Sequence, residues 1–117
     1  MVDAEVEVTN DVIGDISPYI FGGLLEHLGR CIYGGIWDLR SQQPRRDVFG
    51  AMSALAPTSL RWPGGCFADE YHWRDGIGDV AQRPVRRNRW WGGLESNRVG
   101  THEFMDFAEQ LGSEVYF

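Results

Sequence analysis

The sequence predicts an α/β fold with a parallel sheet, and two features support that prediction. Predicted elements follow one another as strand, helix, strand, long loop, helix and strand, an alternation typical of parallel strands joined by right-handed crossovers. Polar and aromatic residues gather after the strand ends, at the edge where such folds hold ligands. Three strands do not close a (β/α)8 barrel, which takes roughly 250 residues. The 117 residues therefore form either a small open sheet or the first part of something larger.

Two strands are predicted before the first helix. Residues Ala4 to Thr9 alternate, with Val6 and Val8 on one face, which indicates a half-buried strand. Tyr19 to Leu25 is largely apolar and predicts a second, mostly buried strand. That strand ends at Glu26, so the carboxylate is expected at the ligand-binding edge of the sheet.

A helix and a strand are predicted next. Asp47 to Ala56 has apolar residues at helical spacing, and Asp47 is a plausible N-cap. Pro57 ends this helix because proline cannot continue the hydrogen-bond ladder. Thr58 to Leu60 is predicted to be the next strand.

The C-terminal part repeats the helix-to-strand pattern. Thr101 to Leu111 has an apolar stripe at helical spacing, with Thr101 as its predicted cap and Gly112 as its end. Glu114 to Phe117 then begins another strand. These elements are expected to add one more βα unit to the parallel sheet.

The long loop between these units is predicted to bind a ligand. Residues 62 to 100 show no periodic element, and a loop of that length in a compact domain is usually functional. It begins with Pro63-Gly64-Gly65 and then interleaves Phe67, Tyr71 and Trp73 with polar and charged residues. Aromatic faces beside hydrogen-bonding groups suit a polar ligand with an apolar side, such as a sugar.

Composition and charge exclude several classes of function. The formal net charge of −6 argues against nucleic-acid binding. The chain has two cysteines, Cys31 and Cys66, and free thiols in a reducing compartment are the simpler interpretation. No signal-peptide pattern and no membrane-spanning stretch is visible. A cytoplasmic protein is therefore expected.

Several side chains have both a functional and a structural interpretation. Glu26 is either a ligand-binding carboxylate or a surface one, and its place after an apolar strand favours the first. Arg61, at the end of a strand, is either a site residue or an ion-pair partner. Cys66 suits a pocket wall and a buried core position equally. Trp90 and Trp91 are either core residues under the loop or sugar-binding residues, and we expect one of them, not both, to be a sugar platform.

Two further chemistries are disfavoured by spacing. Asp69, Glu70 and Asp75 lie too close in sequence to make a natural acid/base pair, so solvated or ion-paired roles are expected. The cysteines and histidines lack the short paired spacings of a zinc site. No metal and no cofactor is therefore expected.

Five motifs together resemble the α-L-arabinofuranosidases of glycoside hydrolase family 51. They occur in the expected order and extend over nearly the whole chain: Glu26–Ile36, Arg61–Phe67, Tyr71–Gly78, Trp91–Asn97 and Gly100–Met105. The resemblance implies a TIM barrel with an attached β-sandwich. By this resemblance, residues 1–14 hold a strand of the sandwich and residues 15–117 the first, incomplete part of the barrel.

The resemblance also implies roles for four residues. Glu26 would hydrogen-bond arabinose hydroxyls where cleavage occurs, Arg61 and Cys66 would lie in the floor or wall of the same pocket, and Trp91 would line the sugar site. We thus expect these groups to share a hollow at the C-terminal ends of three parallel strands.

The resemblance places the catalytic groups outside this chain. A retaining glycosidase uses two carboxyl groups about 5–5.5 Å apart, and in this family both are glutamates on later barrel strands, beyond Phe117. We therefore expect substrate-binding groups but no catalytic residue here, and an inactive fragment. The intact enzyme would act on arabinoxylan or arabinan oligosaccharides and would form homo-oligomers.

Two other functions remain open from the sequence. The chain is alternatively a stand-alone carbohydrate-binding module derived from the start of a barrel. Another possibility is a different activity of the same family, such as an endoglucanase or a xylosidase.

Overall fold

The structure is a computed structural model that describes residues 3–117. Its helices are α1 (Arg46–Leu55) and α2 (Thr101–Leu111). In chain order its strands are β1 (Gly23–Leu24), β2 (Trp37–Asp38), β3 (Gln43–Pro44), β4 (Ser59–Arg61), β5 (Arg86–Arg87), β6 (Leu94–Glu95) and β7 (Glu114–Tyr116). Four short 3-10 helices complete the set, at Pro18–Phe21, Cys66–Glu70, Trp73–Gly76 and Val80–Gln82.

The central sheet has three parallel strands in the order β1, β4, β7. Leu60 in the middle strand lies opposite Gly23 on one side and Val115 on the other. Helices α1 and α2 connect these strands in turn, which confirms the predicted parallel α/β arrangement. Because all three strands run the same way, the residues that follow them, beginning at Leu25 and Trp62, emerge at one edge.

The core lies between the sheet and the two helices. Leu60 and Trp62 are 1% and 2% exposed, and Phe104 and Phe107 on α2 are each 1% exposed. The rings of Trp62 and Phe104 stack with centroids 5.3 Å apart. Full burial of a side chain of this size contributes about 1.5–3 kcal/mol, so this aromatic packing fixes α2 against the start of the long loop.

Helix α2 has the bounds that its sequence pattern predicts, although its predicted cap is wrong. The N-cap is Gly100, whose N–H donates to the Glu103 carboxylate at 2.9 Å, while Thr101 is the first helical residue. Gly112 ends the helix with φ +71, in the left-handed conformation that glycine adopts without strain.

Helix α1 begins one residue before its predicted start. Its N-cap is Arg45 rather than the predicted Asp47, which lies in the first turn and accepts a 3.1 Å hydrogen bond from the Arg45 side chain. A carboxylate in the first turn is favoured there by the helix dipole. The helix ends at Leu55, and its C-cap is Ala56, directly before Pro57.

Two predicted strands differ from the structure. Residues 4–9 are exposed, and no strand is assigned to them, because a ladder needs a second strand and none pairs with them in the described chain. Their place in a β-sandwich stays a prediction. In the predicted strand Tyr19 to Leu25, the first part belongs to the Pro18–Phe21 3-10 helix and only Gly23–Leu24 is a strand. Ser17 caps this helix by accepting the Tyr19 N–H at 3.3 Å.

The long loop is ordered by short elements and one buried arginine. Strands β5 and β6 form an antiparallel pair, which the sequence analysis missed because two-residue strands have no visible period. Arg83 is 9% exposed and makes two 2.9 Å bonds to the Glu103 carboxylate. It also donates to the backbone carbonyls of Gly78 and Asn97 at 2.9 Å. Burial opposes ionisation of Glu103, but the Arg83 and Gly100 donors hold its pKa below the usual value.

Among residues 3–117, no helix combines the length and the apolar character needed to cross a membrane.

Candidate functional site

Glu26 lies against the Pro63-Gly64-Gly65 bend, as the sequence predicts. Parallel pairing continues past the strand ends, with Leu25 N–H donating to Arg61 O at 2.8 Å and His27 N–H to Pro63 O at 3.3 Å. Gly64 has φ +131, and a Cβ atom added to it would lie 2.2 Å from Glu26 Cγ. Only glycine lets the backbone come this close to the Glu26 side chain.

The Glu26 carboxylate is held by N–H donors. Its Oε1 accepts the Phe67 N–H and the Trp91 indole N–H, both at 3.1 Å. Burial favours the neutral acid, but the donors of Phe67, Trp91 and Gly65, with the positive charge of Arg61, outweigh it and lower the Glu26 pKa. Glu26 is therefore an ionised acceptor at neutral pH.

The other three predicted site residues differ in how they contact Glu26. Arg61 is exposed, donates to Gly64 O at 3.3 Å and lies over the Tyr116 ring at 5.9 Å from the centroid. Cys66 is an exposed free thiol one residue before Phe67, whose N–H bonds Glu26. No contact of the Cys66 sulfur with Glu26 is described. Trp91 meets Glu26 directly.

Trp90 does not share the contact that Trp91 makes. Trp91 is 44% exposed and bonds Glu26 through its indole nitrogen, whereas Trp90 is 47% exposed and lines a separate small cavity. Neither is core, and Trp91 rather than Trp90 contacts Glu26. That one of the two, and not both, is a sugar platform stays a prediction.

A buried polar network centred on His27 and Glu95 lies next to Glu26 in the structure. His27 is 5% exposed; its Nε2 accepts the Trp62 indole N–H at 3.1 Å, and its Nδ1 lies 2.6 Å from a Glu95 carboxylate oxygen. Because an indole N–H only donates, Nε2 carries no proton and the ring is the neutral Nδ1–H tautomer. Glu95, 4% exposed, also accepts from the Tyr33 hydroxyl and from Asn97 N–H.

This network fixes the charge state of Glu95. Burial raises its pKa, but hydrogen bonds from His27, Tyr33 and Asn97 outweigh burial and leave the pKa below the usual value. Burial and the neighbouring Glu95 charge raise the pKa of Tyr33. With its oxygens taken by these donors, Glu95 positions the chain after β1 and is not free for a ligand.

Asn88 is a further buried polar residue at the site that the sequence does not indicate. It is 7% exposed and its side chain contacts the backbones of His27, Trp90 and Trp91. Because Asn88 is flanked by two arginines, the local sequence predicts a surface residue, and no sequence signal indicates that it is buried.

Two of the acidic residues that follow the Pro63-Gly64-Gly65 bend lie beside arginines. Asp75 is paired with Arg86 at 2.8 Å, and Glu70 lies 3.5 Å from Arg89. Within residues 3–117 no cluster of three metal-ligating side chains is present. The site therefore offers an ionised carboxylate, an indole and an exposed arginine, which together can bind hydroxyl groups beside an apolar ring face.

Comparison with known proteins identifies relatives over nearly the whole chain. Residues 51–116 match the family model described as the alpha-L-arabinofuranosidase 1 domain. The chain is 54% identical to a Bacteroides ovatus protein named intracellular exo-alpha-L-arabinofuranosidase, over 97% of this chain and 24% of that protein. It thus spans about a quarter of the length of this curated relative.

Solved structures give the same result. A GH51 arabinofuranosidase from Xanthomonas axonopodis pv. citri superposes with a TM-score of 0.80 at 54% identity, covering 86% of this chain and 22% of that one. An alpha-L-arabinofuranosidase from Thermotoga maritima, crystallised as an arabinose complex, superposes with a TM-score of 0.86 at 46% identity. That match covers 92% of this chain and 23% of the Thermotoga chain.

Proposed function

Since this chain belongs to the α-L-arabinofuranosidases of glycoside hydrolase family 51, we propose that it is the N-terminal part of a retaining glycosidase. The whole enzyme releases terminal arabinofuranosyl groups from arabinoxylan or arabinan oligosaccharides. The N-terminal part supplies one wall of the sugar site, in the first βα units of a TIM barrel, while residues 1–14 contribute a strand to an accessory β-sandwich.

The contact between Glu26 and Trp91 carries this proposal. A carboxylate has about four acceptor positions, and Phe67, Trp91 and Gly65 are the donors that lower the pKa of Glu26. The remaining capacity suits a sugar hydroxyl, which donates to an ionised carboxylate in a short, strong bond. We assign Arg61, Cys66 and Trp91 to the same sugar site as Glu26; Trp91 bonds the Glu26 carboxylate and the charge of Arg61 lowers the Glu26 pKa.

Neither carboxylate at this site suits the role of general acid. A general acid must hold its proton near neutral pH, whereas the pKa values of Glu26 and Glu95 are both lowered. Glu95 is moreover 4% exposed. A lowered pKa argues against either residue as the general acid, and, following the family resemblance, we propose that the acid/base and the nucleophile are glutamates on later strands of the barrel.

Activity on an aryl α-L-arabinofuranoside tests the proposal. The complete protein should release arabinose with retention of the anomeric configuration, as followed by proton NMR, and the 117-residue chain alone should release none. Turnover by the chain alone, or inversion of configuration by the complete protein, contradicts the assignment of roles. An aryl xyloside and a β-glucan serve as comparison substrates, since preference for either would indicate another activity of the family.

The exposed face of the sheet favours a longer barrel over a stand-alone carbohydrate-binding module. Leu24 and Tyr116 are 51% and 63% exposed, and apolar surface of this kind is normally covered in a soluble protein. A cooperative melt and arabinose binding by the chain alone would favour the module instead. We further propose that the complete enzyme is cytoplasmic, in keeping with the word intracellular in the name of the Bacteroides ovatus relative. We also propose that it forms homo-oligomers.

A further inference from the structure

We infer that Asn88 is the positioning residue that holds Trp91 against Glu26, and this inference rests on the function proposed above. Asn88 does not touch the sugar in this account. It acts through the backbone of the loop that bears the indole.

The Asn88 side chain joins the two segments that meet at Glu26. Its Nδ2 donates to His27 O at 2.9 Å, and its Oδ1 accepts from Trp91 N–H at 3.0 Å and from Trp90 N–H at 3.2 Å. His27 directly follows Glu26 in the chain. One carboxamide therefore ties the backbone beside the carboxylate to the backbone of the residue whose indole binds that carboxylate.

The β5–β6 pair closes the loop at its base, and within the loop Asn88 is the described side chain that bonds the Trp91 backbone. Trp91 is 44% exposed, and Gly92 and Gly93 follow it with φ +75 and +77. No heavy atom of a residue beyond the chain neighbours lies within 4 Å of a Cβ built on either glycine. Two open glycines give the loop wide conformational freedom, so the buried Asn88 is the anchor from which the indole position is set.

Both ends of the carboxamide are needed for this role. The oxygen satisfies two N–H groups of the loop, and the amide nitrogen satisfies a carbonyl beside β1. Asn88 N–H also donates to Gly93 O at 3.1 Å, which closes the turn around Trp90 and Trp91. Alanine removes all three side-chain bonds, whereas serine keeps a short acceptor for the loop and loses the reach to His27.

The test combines arabinose affinity with a double-mutant cycle in the complete protein. Asn88→Ala should release the Trp91 indole from the ionised Glu26 carboxylate. Arabinose binding should weaken and KM should rise about tenfold or more, as expected for loss of that charge-assisted hydrogen bond. In a Trp91→Phe background, Asn88→Ala should have no further effect on affinity, because its contribution passes through the indole. Additive losses in the cycle would overturn the inference.

Ser113→Ala is the matched control. Ser113 is also buried, at 9% exposure, and its hydroxyl donates to Pro57 O at 2.6 Å between α2 and β7, without any described contact to Trp91. It should lower the melting temperature while leaving arabinose affinity within about twofold. If Ser113→Ala weakens affinity as much as Asn88→Ala, the effect is general destabilisation and the inference fails. If Asn88→Ala does not fold, Asn88→Ser replaces it. Asn88→Ser should weaken arabinose affinity as well, but by a smaller factor.

A readout that needs no substrate separates this inference from the proposed function. In the wild-type protein the Trp91 indole N–H resonance, assigned with Trp91→Phe, should shift as the Glu26 carboxylate is protonated at acid pH. In Asn88→Ala that shift should be lost. If the indole resonance shifts in the wild type and not in Asn88→Ala, but the protein does not bind arabinose, the proposed function is refuted and the positioning role of Asn88 stands. An unchanged indole titration in Asn88→Ala refutes the positioning role whatever the activity.

Discussion

Replacing Gly64 with alanine should displace Glu26 and weaken sugar binding without unfolding the protein. The added Cβ would lie 2.2 Å from Glu26 Cγ and 2.5 Å from its Cβ, and the φ of +131 disfavours any residue with a side chain. Glu26 would have to leave at least one of its two donors, Phe67 N–H or the Trp91 indole. The displaced carboxylate would then lose its hydrogen bond to the sugar. A hydrogen bond to a charged group contributes about 1.5–3 kcal/mol, so arabinose affinity should fall roughly 10- to 150-fold.

Gly65→Ala is the control for that experiment. Gly65 has φ −88, and a Cβ added there would lie 3.6 Å from Glu26 Oε2, an ordinary contact. Isothermal titration of the complete protein with arabinose should therefore show near-normal affinity for Gly65→Ala and a large loss for Gly64→Ala. Equal affinities in the two variants would refute the idea that the close approach at Gly64 sets the position of the carboxylate.

Three further predictions concern stability and are measured on the complete protein. Glu103→Ala leaves the buried Arg83 guanidinium without its carboxylate, so denaturant unfolding should show a loss of about 3 kcal/mol; the exposed Glu109→Ala on the same helix should be near neutral. Leu60→Ala, at a position 1% exposed, should cost about 2–5 kcal/mol, and a loss under about 1 kcal/mol would contradict the described core. Burial opposes ionisation of Glu95 and Glu103, but their hydrogen-bond donors prevail and both pKa values lie below the usual value. Their contribution is then fully present above the unfolded pKa of about 4.5 and is lost as pH falls through the folded values, so the melting temperature should be flat near neutrality and drop in acid; a rise in acid would contradict the assignment.

Elements with a long apolar stripe were the easiest to predict from the sequence. Helix α2 has the predicted bounds, because Phe104, Phe107 and Leu111 recur on one face and Gly112 ends it. The parallel order of β1, β4 and β7 followed from the alternation of strands and helices. Glu26 beside the Pro63-Gly64-Gly65 bend followed from both segments lying after parallel strands.

Residues that act through distant partners were not predictable in this way. Tyr33 and Glu95 are 62 positions apart, and Asn88 and His27 are 61 apart. No local pattern marks either pair, because a buried polar network is defined by side chains that meet only in the folded chain. The segment Tyr19 to Phe21 was misassigned for the opposite reason: its apolar composition indicates a strand, whereas Pro18 and the Ser17 cap favour a turn of 3-10 helix.

A crystal structure of the complete protein with arabinose bound would test the central proposal most directly. We predict a furanose hydroxyl within hydrogen-bond distance of the Glu26 carboxylate, with the Trp91 indole still bonded to the same side chain. Arabinose bound elsewhere, with Glu26 and Trp91 making no contact to it, would contradict the proposed sugar site.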